Sequence, residues 1–200
     1  MLRSFSLAAA VLLLSAGSAS ALTFSFDCIK AKNSKSCQTG RDQLSVEVLG
    51  DTNQVSFAFS NTGPKKISAN ALFVDDTSGT LDHLLNVFNS ANTNFDQGGE
   101  PHKLPNQKKV NFEPDFRATA QNPTDRTRLT PGGVVTLNFV LASGKTLDDV
   151  LAAIEASDLR LGIRTGKSFI NVPSGGAVPE PGVLALLAFG APFALRRRRS

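Results

Sequence analysis

Along several short segments of this chain, apolar and polar residues alternate one by one, and no other feature constrains the fold as strongly. Residues 44–49 carry leucine or valine at every second position, and residues 55–60 carry valine or phenylalanine there. Successive side chains of a β-strand point to opposite faces, so this period of two predicts strands with one buried face. Eight or nine short strands are expected, with candidates at residues 22–26, 44–49, 55–60, 67–74, 84–88, 110–112, 134–141, 159–163 and 168–172.

One segment has a helical period instead. Thr146 is a suitable N-cap, two aspartates follow it in the first turn, and Leu147, Val150, Leu151 and Ile154 recur at helical spacing. The sequence therefore predicts one short α-helix that packs over an edge or an end of the sheet.

Turn-forming Gly, Asn, Asp and Pro separate these elements, and no internal repeat is visible. The segments 89–109 and 113–132 are rich in Asn, Gln, Gly and Pro and are expected to be long surface loops. We predict that residues 22–177 form a single antiparallel β-sandwich or jelly-roll-like domain with one short α-helix.

The N-terminus has the three parts of a secretory signal peptide. Arg3 gives a positive start, residues 5–14 form an apolar run, and the small residues Ala19 and Ala21 form a site for signal peptidase. We predict that residues 1–21 are removed and that the mature chain begins at Leu22.

The last 23 residues combine a proline-rich motif, an apolar run and a block of arginines. The motif is Val178, Pro179, Glu180 and Pro181, the apolar run is residues 183–195, and the block is Arg196, Arg197, Arg198 and Arg199. Thirteen residues make a helix of about 20 Å, which is short for a hydrocarbon core of about 30 Å. Consecutive arginines stay on the cytoplasmic side, so the motif is expected at the outer face of the membrane, within reach of a protease.

This three-part tail resembles the PEP-CTERM sorting signal of exopolysaccharide-producing Gram-negative bacteria. The resemblance covers about residues 178–199. It implies export across the inner membrane, transient anchoring by the C-terminal helix, cleavage near Pro179–Pro181 by an exosortase-like membrane protease, and delivery to the outer surface or extracellular matrix. The alternative is a permanent tail anchor with a single membrane span.

The basic residues are concentrated at the chain ends. The net charge is +4, but removing Arg3 and the terminal arginine block leaves 16 basic against 17 acidic side chains in residues 22–195. A protein that binds nucleic acid needs a concentrated basic face, so a nucleic-acid partner is not expected.

Cys28 and Cys37 are the two cysteines of the chain, and eight residues separate them. In an exported protein this pair is most simply a disulfide that closes a hairpin-like loop. A reactive thiol pair is the alternative, but the two-residue spacing typical of such pairs is missing.

Few residues are candidates for chemistry. The Asp75–Gly79 segment partly matches a calcium loop but lacks the glutamate at the twelfth position, so a hairpin turn is favoured. Glu113 and Asp115 would serve as a glycosidase pair only if a cleft held suitable carboxylates apart, and otherwise belong to a surface loop. His83 is expected on a strand face and His102 in a loop. No catalytic, metal-binding or cofactor-binding residue is assigned.

Three classes of function remain. The favoured one is a non-enzymatic surface or matrix protein associated with exopolysaccharide or biofilm. A carbohydrate-binding module of the envelope is the second, although the absence of Trp and Tyr disfavours stacking on sugar faces. A secreted hydrolase is the third, supported only by scattered carboxylates.

Overall fold

The computed structural model describes residues 22–30, 33–100, 102–121 and 127–172 of the 200-residue chain. In these ranges the structure is mainly β, as the alternating pattern predicts. The strands are β1 (Leu22–Cys28), β2 (Leu44–Gly50), β3 (Gln54–Asn61), β4 (Ala71–Asp76), β5 (Leu81–Asn89), β6 (Phe95–Gln97), β7 (Phe116–Ala120), β8 (Val134–Leu141), β9 (Leu159–Arg164) and β10 (Ser168–Asn171). The helices are α1 (Lys35–Gln43), α2 (Leu147–Ala156) and a short 3₁₀ helix at Gln107–Lys109.

All strand pairings within the described ranges are antiparallel, and they join ten strands into one sheet in the order β5-β8-β3-β2-β1-β10-β9-β4-β7-β6. In β2, β3 and β8 every second side chain is buried. The period of two in the sequence therefore becomes one apolar face turned to the core.

Strand β1 belongs to both halves of this sheet. Residues 22–25 pair with β2, and residues 26–28 pair with β10. The end strands β5 and β6 lie close together as well, because the Asn89 side chain accepts a hydrogen bond from the Phe95 N–H and donates one to the Phe95 carbonyl. The sheet is therefore nearly closed around a shared core.

Phenylalanine supplies most of the largest fully buried side chains. Phe139 of β8 meets Phe57 of β3 and Phe116 of β7, with ring centroids 5.5 Å and 5.0 Å apart. Both contacts are edge-on, an arrangement that contributes about 0.5–1.5 kcal/mol beyond area burial. The contact with Phe116 ties the two halves of the sheet together across the core.

The predicted helix is confirmed as α2. The Thr146 hydroxyl accepts a hydrogen bond from the Asp149 N–H, and the Asp149 carboxylate accepts one from the Thr146 N–H, which completes a capping box. Val150, Ala153 and Ile154 are the buried face, and the helix ends at Ser157 in the left-handed region with φ 65°.

The prediction of a single helix was wrong, because α1 is a second one. Its nine residues are almost all polar, so they lack the apolar periodicity that reveals a helix in a sequence. Contacts with the rest of the domain, rather than an apolar stripe, hold α1 in place. Ser34 caps its N-terminus, and Gly40 lets the Phe169 ring pack directly on the helix backbone, where any Cβ would overlap the ring.

Two further expectations about the middle of the chain were wrong. Residues 110–112 form no strand but follow the 3₁₀ helix, with Asn111 at φ 50°. The expected loops 89–109 and 113–132 contain β6 and β7. Those strands were missed because β6 has three residues, and because the buried residues of β7 are the small Ala118, Thr119 and Ala120.

A second, smaller apolar cluster covers the outer face of the sheet at β4. Phe112 and Leu104 pack there against Ala71 and Phe73. A Cβ on Gly162 of β9 would lie 2.9 Å from the Phe112 ring, so the glycine is needed for this close approach. The chain itself therefore occupies this face of the domain.

Candidate functional site

Most of the residues predicted for processing lie outside the described ranges. These are Ala19 and Ala21 of the signal-peptidase site, the motif Val178, Pro179, Glu180 and Pro181, and the block Arg196, Arg197, Arg198 and Arg199. The C-terminal helix predicted for membrane association also lies outside them. No helix within the described ranges has the length and apolar character needed to cross a bilayer.

The predicted disulfide is present. Cys28 ends β1 and Cys37 lies in the first turn of α1, with 5.8 Å between their Cα atoms and both side chains buried. Arg41 on the next turn of α1 donates to the Asp27 carboxylate at 2.5 Å. The covalent bond and the ion pair together fix α1 against the edge of the sheet, where the segment was expected to form only a hairpin-like loop.

Four lysines from three separate segments meet beside the start of α1. They surround a surface pocket of about 430 Å³, which we call the basic groove and which is lined by Lys35, Ser36, Thr39, Lys65, Lys66, Ile67, Ser68, Thr165, Gly166 and Lys167. No acidic side chain is among these lining residues. Lys65 reaches the exposed Asp42 at 4.0 Å, whereas Lys35, Lys66 and Lys167 form no ion pair with any described residue.

The start of α1 adds to this positive potential. The N–H groups of a first helical turn carry partial positive charge, and the first turn of α1 holds no acidic residue to offset it. Lys35 and Ser36, the first two residues of the helix, both line the groove. Helix and lysines therefore favour the same kind of ligand, one that carries negative charge.

A buried glutamine fixes one wall of the groove. The Gln43 side chain is 3% exposed, and it donates to the Lys65 carbonyl and accepts from the Lys65 N–H, both at 2.9 Å. It also donates to the Asn61 side chain at 3.2 Å. Gly63 passes so close to Gln43 that a Cβ would overlap its side chain. The backbone that presents Lys65 and Lys66 is thus held in one position.

A second wall is a tight turn between β9 and β10. The Thr165 N–H donates to the Lys167 carbonyl at 2.8 Å, and the Lys167 N–H donates to the Thr165 hydroxyl at 2.9 Å. This turn places Lys167, which is half-buried, in the same groove as the exposed Lys35 and Lys66. The lysines are therefore gathered by folded elements rather than by a flexible tail.

Two neighbouring pockets extend the groove. A pocket of about 330 Å³ shares Lys66, Ile67 and Ser68 with it and continues to Thr130 and Pro131. Another pocket, of about 280 Å³, shares Gly166 and Lys167 and continues to Lys30, Pro105 and Asn106. The groove is therefore continuous with a mainly apolar pocket on the Thr130 side and a more polar one on the Lys30 side.

The most buried ion pair of the described residues lies away from the groove. Asp75 of β4 is fully buried, and Arg160 of β9 donates to its carboxylate and also to the Val110 and Asn111 carbonyls. Burial raises the pKa of the Asp75 carboxyl, while the Glu113 N–H and the Arg160 guanidinium act in the opposite direction. Because these contacts tie residues 110–113 to the sheet, we interpret the pair as structural.

The other acidic candidates also act within the fold. Asp76 accepts hydrogen bonds from the Ser78 and Thr80 hydroxyls and from the Leu81 N–H, which closes the turn between β4 and β5. Asp115 accepts one from the Asp76 N–H at 2.8 Å. Within the described ranges no three His, Cys, Asp or Glu side chains gather as metal ligands would.

The remaining candidates are exposed. The Glu113 side chain is exposed, while its backbone N–H donates to Asp75 at 3.0 Å. His83 lies on the exposed side of β5 beside Asp82, and His102 lies in a loop beside Glu100. The structure therefore brings none of these residues into the basic groove.

Sequence reasoning did not find the groove. The balance of 16 basic and 17 acidic side chains describes the body as a whole, whereas Lys35, Lys65, Lys66 and Lys167 are distant in sequence and adjacent only after folding. The local signals were the basic segment around Lys30 and Lys35 and the Lys65-Lys66 pair next to a Gly-Pro turn.

Comparisons with protein-family models, with curated proteins and with solved structures found no match to this chain.

Proposed function

We propose that this chain is an exported, non-enzymatic protein of the cell surface or extracellular matrix that associates with exopolysaccharide. Signal peptidase removes residues 1–21, and the C-terminal helix holds the chain briefly in the inner membrane. An exosortase-like protease then cleaves near Pro179–Pro181 and releases the domain to the outer surface.

The observation that carries this proposal is the basic groove on a disulfide-bonded domain. Disulfides persist mainly in oxidising compartments outside the cytosol, which agrees with the export signals expected at both chain ends. A fixed cluster of four lysines, three of which form no ion pair with a described residue, suits a domain that adheres to an anionic polymer at the surface.

We further propose that the nearly closed sheet belongs to the sandwich or jelly-roll class. Such scaffolds host many unrelated functions, and carbohydrate binding is one of them. A module that binds neutral sugars by ring stacking is the second candidate, but the chain has no Trp or Tyr to supply that platform. Charge is therefore the better basis for association with a glycan.

A hydrolase receives no support from the described residues. Asp115 is engaged by the backbone of β4, and neither Glu113 nor Asp115 lines the basic groove or the pockets that extend it. Carboxylates placed on either side of a cleft are the pattern that a glycosidase requires.

Cell fractionation tests this proposal. The full chain is produced in an exopolysaccharide-forming bacterium that has an exosortase-like protease, beside a strain that makes no polysaccharide. We expect the protein in the surface polysaccharide fraction of the first strain and in the culture medium of the second. The variant Pro179→Ala/Pro181→Ala should accumulate in the inner membrane, whereas the control variant Pro173→Ala should be released normally.

Two outcomes would contradict the proposal. One is recovery of the unprocessed chain from the cytoplasm. The other is an unchanged surface location in the strain without polysaccharide, which would mean that the exopolysaccharide does not retain the protein.

A further inference from the structure

We infer that the basic groove binds a segment of acidic polysaccharide through the carboxylates of uronate-type sugars. This inference rests on the proposed function, because it names the kind of polymer with which the domain associates. It also assigns the contact to one place on the surface.

The positive charges around the groove indicate that its ligand is negatively charged. Lys35, Lys65, Lys66 and Lys167 converge on one pocket with no acidic side chain in its lining, and the N-terminus of α1 faces the same space. Like charges repel one another, so gathering these lysines costs free energy unless an anion neutralises them. A fold that fixes both walls holds this arrangement ready for a ligand.

The hydroxyl groups in the groove indicate that the ligand also carries hydroxyl groups. Ser36, Thr39 and Ser68 lie among the lysines, and none of their side chains hydrogen-bonds to another described residue. Hydroxyls donate and accept, and they match the hydroxyl groups that every sugar unit presents. Ammonium groups beside free hydroxyls therefore fit a polymer that has both carboxylates and hydroxyls.

The composition of the groove disfavours nucleic acid and lipid. Among its lining residues there is no arginine for bidentate phosphate contacts and no aromatic ring on which a base could stack. A membrane surface is bound by apolar side chains that insert beside the basic ones, but Ile67 is the single large apolar residue of the lining and packs against the core.

The extent of the surface favours a polymer over a single sugar. The adjoining pockets lead from the groove toward Thr130 in one direction and toward Lys30 and Asn106 in another. Several weak contacts along one chain give the affinity that one exposed ion pair cannot give.

Binding of the full chain to polygalacturonate, measured by calorimetry at low salt with detergent present, tests this inference. Dextran serves as the neutral control. We expect binding to polygalacturonate that weakens as salt rises, and no binding to dextran. The variant Lys66→Gln/Lys167→Gln should bind roughly tenfold more weakly, which is the loss expected for two partly exposed ion pairs.

The control variant Arg117→Gln/Lys145→Gln removes the same charge from positions outside the groove and outside the pockets that extend it. Its affinity should stay within about twofold of the parent, because long-range attraction is screened. Equal thermal midpoints of both variants would show that each is folded. Equal weakening by the two variants would overturn the inference, and so would tighter binding to duplex DNA or to phosphatidylglycerol vesicles.

The two proposals fail in different ways. A chain that reaches the cell surface but does not bind polygalacturonate contradicts only the inference that the groove binds acidic polysaccharide. A chain that binds polygalacturonate through Lys66 and Lys167 but stays in the cytoplasm supports that inference and contradicts the proposed export.

Discussion

Asp75 shows how a single buried carboxylate organises its surroundings. It receives the Arg160 guanidinium and the Glu113 N–H on the same oxygen, and Arg160 also lies over the Phe112 ring at 5.5 Å from its centroid. A buried ion pair contributes little net stability, but removal of one partner leaves an uncompensated charge. The pair therefore acts chiefly to fix residues 110–113 on the outer face of the sheet.

We predict that Arg160→Met destabilises the domain by about 3–5 kcal/mol at neutral pH, because the Asp75 carboxylate loses its cation. The double variant Asp75→Asn/Arg160→Met should recover part of this loss, since it removes both charges. Urea unfolding of the parent, both single variants and the double variant measures the difference. Equal stability of Arg160→Met and the double variant would mean that the Asp75 charge is unimportant.

The pH dependence of the free energy of unfolding provides a second test with the same variants. The pKa of Asp75 is raised above 3.8 by burial, and loss of Arg160 should raise it further. A raised pKa means that the folded state keeps a proton that the unfolded state has released. The free energy of unfolding of Arg160→Met should therefore fall as pH rises from 3.8 through the raised pKa, and the double variant should lack this fall.

At the scale of elements, the disulfide is the main local constraint on α1. The helix has little apolar surface of its own, so the covalent link from Cys37 to β1 keeps its first turn in place. Helices of this length are marginal without tertiary contacts. The position of Lys35 at the groove thus depends on the bond two residues further along the chain.

Cys28→Ser/Cys37→Ser should lower the free energy of unfolding by about 2 to 3 kcal/mol, because the unfolded chain regains the freedom of a small loop. Urea unfolding with and without reductant measures this. The parent should lose a similar amount when reduced, and the variant should not respond. Equal stability of parent and variant under oxidising conditions would contradict a stabilising role for the bond.

The sequence predicted elements well where the pattern was regular. Strands β2, β3 and β8 alternate over six or more residues, and α2 has both a capping box and an apolar stripe. The strands β6 and β7 and the helix α1 were missed because neighbouring elements, rather than their own composition, hold them in place. Residues 110–112 were misassigned because their apolar side chains cover the outer face of the sheet without forming a ladder.

At the scale of the whole molecule, the site depends on topology. Lys35 lies before β2, Lys65 and Lys66 lie between β3 and β4, and Lys167 lies between β9 and β10. Strand β1 joins the two halves of the sheet and so brings these connections to one end of the domain. Strand order cannot be read from alternation alone, so no sequence pattern could have placed these lysines together.

Intact-mass spectrometry of the protein recovered from the surface of producing cells tests the account most directly. We predict a chain that begins at Leu22, ends near Pro181 and keeps the bond between Cys28 and Cys37. A surface protein that still carries the residues after Pro181, through the terminal arginines, would contradict release by a protease, and one that still carries residues 1–21 would contradict removal of the signal peptide.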